Sequence, residues 1–274
     1  MDDMTRLYAD QGYVGPLTAF TPEEMATIIP QVAADMAKQT ELRGWRNRHL
    51  EWDLARRLTT APAIVDAMKK LLAPNLLVWR TNFFVVSSGK GLPWHQDEYN
   101  SLLQDPVHHI TTHLAITDAA ENNCLMIIPG SHKYTRDSIE HDGFEHIEQG
   151  NVEERLGTPR YRRIAGRAPE PVRVLLKPGE FIVFHPSLMH GSSDNLNAYP
   201  PKPSLLKRLK NKLPGSGRPG TNISGPDRLA FGIRATVPEN KVLPPAFAET
   251  FPRVDKCVLL SGSKTSDVNE TVDW

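Results

Sequence analysis

The chain has 274 residues, in which 32 Lys and Arg balance 32 Asp and Glu, so no global field draws it to nucleic acid or to an anionic membrane, and any charge recognition is local. Two cysteines, Cys124 and Cys257, stand far apart without a metal-ligand or redox spacing, which excludes a disulfide framework and fits a reducing cytoplasm. The acidic start Met1-Asp2-Asp3 carries no apolar leader, and no run of about 18 apolar residues occurs, so a cytoplasmic protein that does not cross a membrane is expected.

The length suits one undivided domain. Thr21-Pro22-Glu23-Glu24 predicts a helix start, with Thr21 as cap, Pro22 at the first helical position and Glu24 closing a capping box. That helix should run to about Lys38. Ile64, Met68, Leu71 and Leu72 recur at helical spacing and predict a second helix from about Ala61 to Leu72. After Pro74 the texture changes, and the β-branched and aromatic run from Leu76 to Val86 predicts a strand. Further strands are expected at Ile110 to Thr117, Cys124 to Ile128, Val172 to Leu176, Glu180 to Phe184 and Arg228 to Val237. Pro129-Gly130-Ser131 and Lys177-Pro178-Gly179-Glu180 are the turns between them.

Helices first and short strands after predict a mainly β protein with flanking α-helices, N-terminal helices over about 1–73 and a β core over about 75–240. A jelly-roll double sheet fits, because its interior can hold a metal and a small ligand. Two stretches read as insertions: 134–170, charged and turn-rich, and 196–226, which is basic through Lys207-Arg208-Leu209-Lys210-Asn211-Lys212.

Chemistry concentrates at Trp94-His95-Gln96-Asp97-Glu98. If this segment is extended, alternation places His95 and Asp97 on one face. His190, just past the apolar run that ends at Phe184, supplies a second imidazole. Two His and one carboxylate form a facial triad, whose usual tenant is non-haem Fe(II). His108, His109 and His113 lack a carboxylate at ligand spacing and read as turn or core residues. His185 lies five residues before His190 and is its competitor.

Trp94-His95-Gln96-Asp97, the run from Asn122 to Lys133, Lys177-Pro178-Gly179-Glu180 and His190-Gly191-Ser192-Ser193-Asp194-Asn195 together resemble, in order, the phytanoyl-CoA dioxygenase family. The resemblance implies a double-stranded β-helix (jelly-roll, cupin-like) core. It implies Fe(II) held by His95, Asp97 and His190, with 2-oxoglutarate and O2 taking the open positions. The family anchors the far carboxylate of 2-oxoglutarate with an Arg that opens the strand after the distal His. Arg228 matches that place by strand context, although it stands 38 residues past His190, farther than is usual in the family. Arg234 shares its strand face and competes for the role. Asn82 and Thr112 resemble positions with polar contacts to 2-oxoglutarate, and Trp94 and Tyr99 are expected to frame the opening.

The implied reaction converts 2-oxoglutarate to succinate and CO2 and hydroxylates a C–H bond, with desaturation or cyclisation left open. Asp97 stands where halogenating relatives carry a small residue, which disfavours halogenation. The expected substrate is a small polar metabolite such as an amino acid. The basic stretch suggests instead a phosphorylated substrate or one tethered to an acidic carrier protein. The rivals are a cupin-like metalloprotein that does not use 2-oxoglutarate and a non-catalytic member of the fold. A nucleic-acid substrate is not expected, since phosphate contacts need a broad cationic surface.

Overall fold

The structure is a computed structural model that describes residues 2–38, 45–86, 91–98, 102–135, 138–139, 152–192, 228–243 and 256–274. The basic stretch 196–226 and Tyr99 lie outside the described residues. Helix α1 (Asp3–Gln11) is capped by Asp2 and ends at Gly12. Strand β1 (Tyr13–Thr18) follows. Helix α2 (Pro22–Met36) starts as the sequence predicts: Glu24 N donates to Thr21 Oγ1 at 3.3 Å, and Thr21 N donates to Glu24 Oε2 at 2.9 Å. Its buried stripe, Met25, Ile28, Val32 and Met36, has the three-and-four spacing of a single helix face. Helices α3 (Asp53–Thr59) and α4 (Pro62–Leu71) complete the N-terminal layer.

Strands β2 (Leu76–Val86), β3 (His109–Ala115), β6 (Glu180–Phe184), β8 (Arg228–Thr236) and β9 (Val258–Ser261) join β1 in a six-stranded sheet of order β1-β6-β3-β8-β2-β9. Strands β4 (Leu125–Ile127), β5 (Val172–Val174) and β7 (His190–Ser192) form a second sheet of order β5-β4-β7. Every ladder between these strands is antiparallel. The large sheet has two covered faces. On β8, Leu229, Phe231, Ile233 and Ala235 join Ile28, Leu58, Ile64 and Met68 of the helices in one apolar core. Alternation turns Arg228, Ala230, Gly232 and Arg234 toward the second sheet. Between the sheets, Ala115, Ile182 and Phe184 meet Leu125, Ile127, Val174 and Leu188. Two facing antiparallel sheets with helices behind the larger one make the expected double-stranded β-helix.

Three expectations need correction. The order is not helices and then strands, because β1 precedes α2 and forms an edge of the large sheet by pairing with β6. A Pro and a Gly in Tyr13–Thr18 hide that strand from pattern reasoning. Stretch 134–170 is not purely a loop. It contains α5 (Val152–Leu156) and α6 (Pro159–Ala165), whose Leu156, Tyr161 and Ala165 pack on Trp94, Ile128 and Met189. The start of α6 was readable, since Thr158-Pro159 repeats the Thr-Pro cap of α2 and Tyr161 N donates to Thr158 Oγ1 at 3.1 Å. Two turns are too short for apolar periodicity to show. Finally, β9 lies far beyond the last expected strand and pairs with β2.

The end of α1 braces the segments around the future site, with Gly130 N donating to Gln11 O and His185 N to Gly12 O, both at 2.8 Å. The turn before β6 is equally constrained. Gly179 has φ 87°, and a Cβ there would lie 2.4 Å from the Phe20 carbonyl oxygen. Gly179→Ala should therefore cost about 2–3 kcal/mol and lower the thermal midpoint by roughly 5 °C or more, as read from a circular dichroism melt.

Candidate metal centre

His95 and His190 are brought together by backbone geometry. His95 N donates to His190 O at 2.8 Å and His190 N to His95 O at 3.0 Å. Residues that exchange both bonds are directly opposed in an antiparallel pair, so their side chains project from one face. The two ring centroids are 4.2 Å apart. The pairing adds the His95 segment to the free edge of β7, extending the second sheet. Past His95 the chain leaves the ladder, and Asp97 N donates instead to Pro186 O at 2.7 Å. The carboxylate returns to the imidazole face as alternation requires. Asp97 Oδ1 lies 3.8 Å from His95 Nε2 and 3.9 Å from His190 Nε2. One donor atom from each of the three residues falls within 4.8 Å of the others, and no second such group occurs among the described residues.

The ring orientations are fixed from behind. His95 Nδ1 is 2.8 Å from Pro93 O, and His190 Nδ1 is 2.8 Å from Leu188 O. A carbonyl only accepts, so each Nδ1 carries the proton and each Nε2 offers a lone pair toward Asp97. Burial, and next the neighbouring His95, push the His190 pKa down to about 4. Its imidazole is therefore neutral and able to bind a metal at physiological pH.

Residues 94 and 96 take the opposite parity. Gln96 Nε2 donates to Tyr134 O at 2.9 Å and to Ser187 O at 2.7 Å, tying the loop to both neighbouring turns. Trp94, which the sequence led one to expect at the opening, does not frame it. It is buried with Tyr134, Tyr161 and Met189 beneath the loop.

The two arginines of β8 are both buried, and they face different partners. Arg234 Nη2 donates to Asp97 Oδ2 at 3.0 Å, and Thr111 Oγ1 reaches the same oxygen at 3.4 Å. Arg228 Nη2 donates to Ser192 Oγ at 2.8 Å, two residues past His190. Its Nε and Nη1 are buried and meet no hydrogen-bond partner among the described residues. Burial pushes its pKa down to about 10, so it remains a cation. A buried guanidinium with unmet donors is suited to receiving an anion. Both arginines and all three triad residues line one cavity.

Asn82 lies opposite Gly232 in the sheet, and its Oδ1 accepts from Arg80 Nε at 3.1 Å. Asn82 does not line the cavity. Thr112 borders the cavity, but by alternation its side chain shares the helix-facing side with Ile110 and Leu114, where its hydroxyl is buried without a hydrogen-bond partner among the described residues. That alternation gives the cavity to Thr111 and His113, both missed as site residues. The signal was present, because two core apolar residues at 110 and 114 fix the parity of 111 and 113. His113 is buried and neutral, its pKa held well below the usual value by desolvation and then by the Arg228 charge.

A jelly roll that presents two imidazoles and a carboxylate on one side of a cavity holding a buried arginine defines a non-haem Fe(II) oxygenase dependent on 2-oxoglutarate. The chain is an enzyme of that class. It belongs to the phytanoyl-CoA dioxygenase (PhyH) family, whose profile matches residues 8–202, a span that includes the whole triad and stops before Arg228.

Among individual relatives, the chain is 28% identical over 221 residues to a probable alpha-ketoglutarate-dependent hypophosphite dioxygenase of Stutzerimonas stutzeri, covering 70% of this chain and 73% of the relative. It is 25% identical over 186 residues to the ectoine dioxygenase of Sphingopyxis alaskensis, covering 64% of this chain and 61% of the relative. It is 32% identical over 160 residues to the L-proline trans-4-hydroxylase of Streptomyces griseoviridis, covering 53% of this chain and 59% of the relative.

Among solved structures, CytC3 with Fe(II) and alpha-ketoglutarate superposes with a TM-score of 0.64 at 21% identity, over 99% of this chain and 92% of that one. EctD from S. alaskensis in its apoform gives 0.63 at 15% identity, over 98% and 86%. At such identities these structures establish the fold. Among the described residues no helix is long and apolar enough to cross a membrane.

Proposed function

We propose that the protein hydroxylates a C–H bond of a small polar metabolite, amino acids being the first class to test. In this proposal His95, Asp97 and His190 hold the ferrous ion and Arg228 anchors 2-oxoglutarate. The observation that carries it is the convergence of one donor atom each from His95, Asp97 and His190 within 4.8 Å, in a cavity shared with the unmet Arg228 donors. Two imidazoles and a carboxylate suit a divalent iron, and a buried cation suits a dianionic keto acid. The relatives named for hypophosphite, ectoine and L-proline support a substrate of small size.

Bound iron supplies the redox chemistry, coupling dioxygen activation to decarboxylation of the keto acid. The chain does the positioning. The Pro93 and Leu188 carbonyls hold the Nδ1 protons and so keep both Nε2 atoms available. Ser192 steadies Arg228 through Nη2, and the Nε and Nη1 donors are left for a carboxylate. Phe84, Leu125 and Phe184 give the cavity apolar walls that exclude water.

The test is succinate release in the presence of Fe(II) across amino acids, aminophosphonates, nucleotides and acyl carriers. Stimulation by an amino acid, with a product one oxygen heavier by mass spectrometry, is the expected result. Stimulation confined to nucleotides or acyl carriers would overturn the substrate assignment.

Phe84 gives a second prediction. A Cβ on Gly232 would stand 2.7 Å from Phe84 Cε2, so Gly232→Ala must displace that ring, which lines the cavity. A displacement of this size should lower kcat/KM by about tenfold or more. The melting temperature should change little, and steady-state kinetics beside a thermal melt will separate the two effects.

A further inference from the structure

The carboxylate of Asp97 is divided between two tasks. Oδ1 faces both imidazole Nε2 atoms, and Oδ2 accepts from the Arg234 guanidinium and, at longer range, from Thr111. Asp97 is 2% exposed and Arg234 is 5% exposed, so the ion pair is shielded from solvent and its direction is fixed. The Arg234 guanidinium also lies 5.8 Å from the centre of the Phe84 ring, which leans over Gly232 on the same strand. Strand β8 holds the arginine in register, since Arg234 pairs across the sheet with both Arg80 of β2 and Thr111 of β3. The two residues that reach Oδ2 are thus cross-strand neighbours, and they approach it as a unit built into the large sheet.

We propose that Arg234 is a positioning residue that acts through Asp97: by occupying Oδ2 it presents Oδ1 alone to the metal and so sets both metal affinity and the number of positions left open. A carboxylate free to turn can offer both oxygens and take up a position that a bidentate keto acid and dioxygen need. Held by Arg234, Asp97 offers one. This role differs from anchoring the far carboxylate of the co-substrate, which falls to Arg228, bonded to Ser192 rather than to Asp97. The inference rests on the proposed triad.

The experiment is equilibrium binding of Mn(II) or Co(II) to the full chain without 2-oxoglutarate, followed at saturating metal by binding of 2-oxoglutarate and of pyruvate, which lacks the far carboxylate. For Arg234→Leu, metal affinity should fall ten- to hundredfold. Both keto acids should weaken by the same factor, leaving their ratio as in the wild type. Arg234→Lys, which returns a charged donor, should recover most of the metal affinity. A folded Arg234→Leu protein with wild-type metal affinity overturns the proposal, and so does a loss of 2-oxoglutarate binding that spares pyruvate. If the Leu variant does not fold, because Asp97 is left buried without its cation, Arg234→Gln is judged by the same two criteria. Failure of the wild-type protein to bind either metal would sink the triad itself, a result distinct from equal binding by wild type and variant.

Discussion

His190→Ala is expected to abolish ferrous-ion binding and turnover while leaving the protein folded. The substitution keeps the backbone bonds that pair residue 190 with His95 and with Ile127 of β4, so the edge of the second sheet survives. It removes one of two imidazoles and leaves Asp97 Oδ1 facing His95 alone. Loss of a residue that merely supports a metal ligand costs ten- to hundredfold in affinity, so loss of the ligand should exceed that, by on the order of a thousandfold in succinate release. His185→Ala is the internal control. His185 Nδ1 accepts from Ser187 N at 3.1 Å, and its ring packs against His132 with centroids 5.4 Å apart, away from the three converging donors. Equilibrium dialysis against Mn(II) should show metal bound by the His185 variant and not by the His190 variant. The reverse outcome would transfer the ligand role to His185 and dismantle the centre described above.

How much of this was legible beforehand depends on how locally each feature is encoded. The capping box of α2 and the bounds of β2 and β6 are written in contiguous residues, and the structure returns them within a residue or two. The side-by-side display of His95 and Asp97 follows from alternation alone, even though only His95 joins a ladder. What stayed hidden is decided across the sheet. Whether Arg228 or Arg234 pairs with the triad carboxylate depends on Ser192, Asp97 and Thr111, which come from three other segments. No spacing within Arg228 to Arg234 distinguishes them, because both lie on the same face. Trp94 was misjudged because an aromatic beside a ligand says nothing about depth until α5 and α6 are known to cover it. Thr111 and His113 were overlooked for a weaker reason, since Ile110 and Leu114 already fixed the parity of β3.

Arg228→Ala should separate the keto acids that the wild-type protein distinguishes. With two buried donors unmet among the described residues and a third fixed on Ser192, the guanidinium is built to receive a carboxylate. Each hydrogen bond between charged groups is worth about 1.5–3 kcal/mol, so losing two should weaken 2-oxoglutarate by about a hundredfold or more. Pyruvate has no far carboxylate and should bind the variant as it binds the wild type, measured by calorimetry with Mn(II) in place. Arg228→Lys should recover only part of the loss, because an ammonium is a point charge without the planar fork. Metal affinity without keto acid should be unchanged, since Arg228 contacts none of the three donors. Arg234 is expected to behave in the opposite way, with metal affinity lost and keto-acid preference kept. Should Arg228→Ala bind 2-oxoglutarate normally while Arg234→Leu loses it selectively against pyruvate, the anchor is Arg234 and the roles assigned to the two arginines are exchanged.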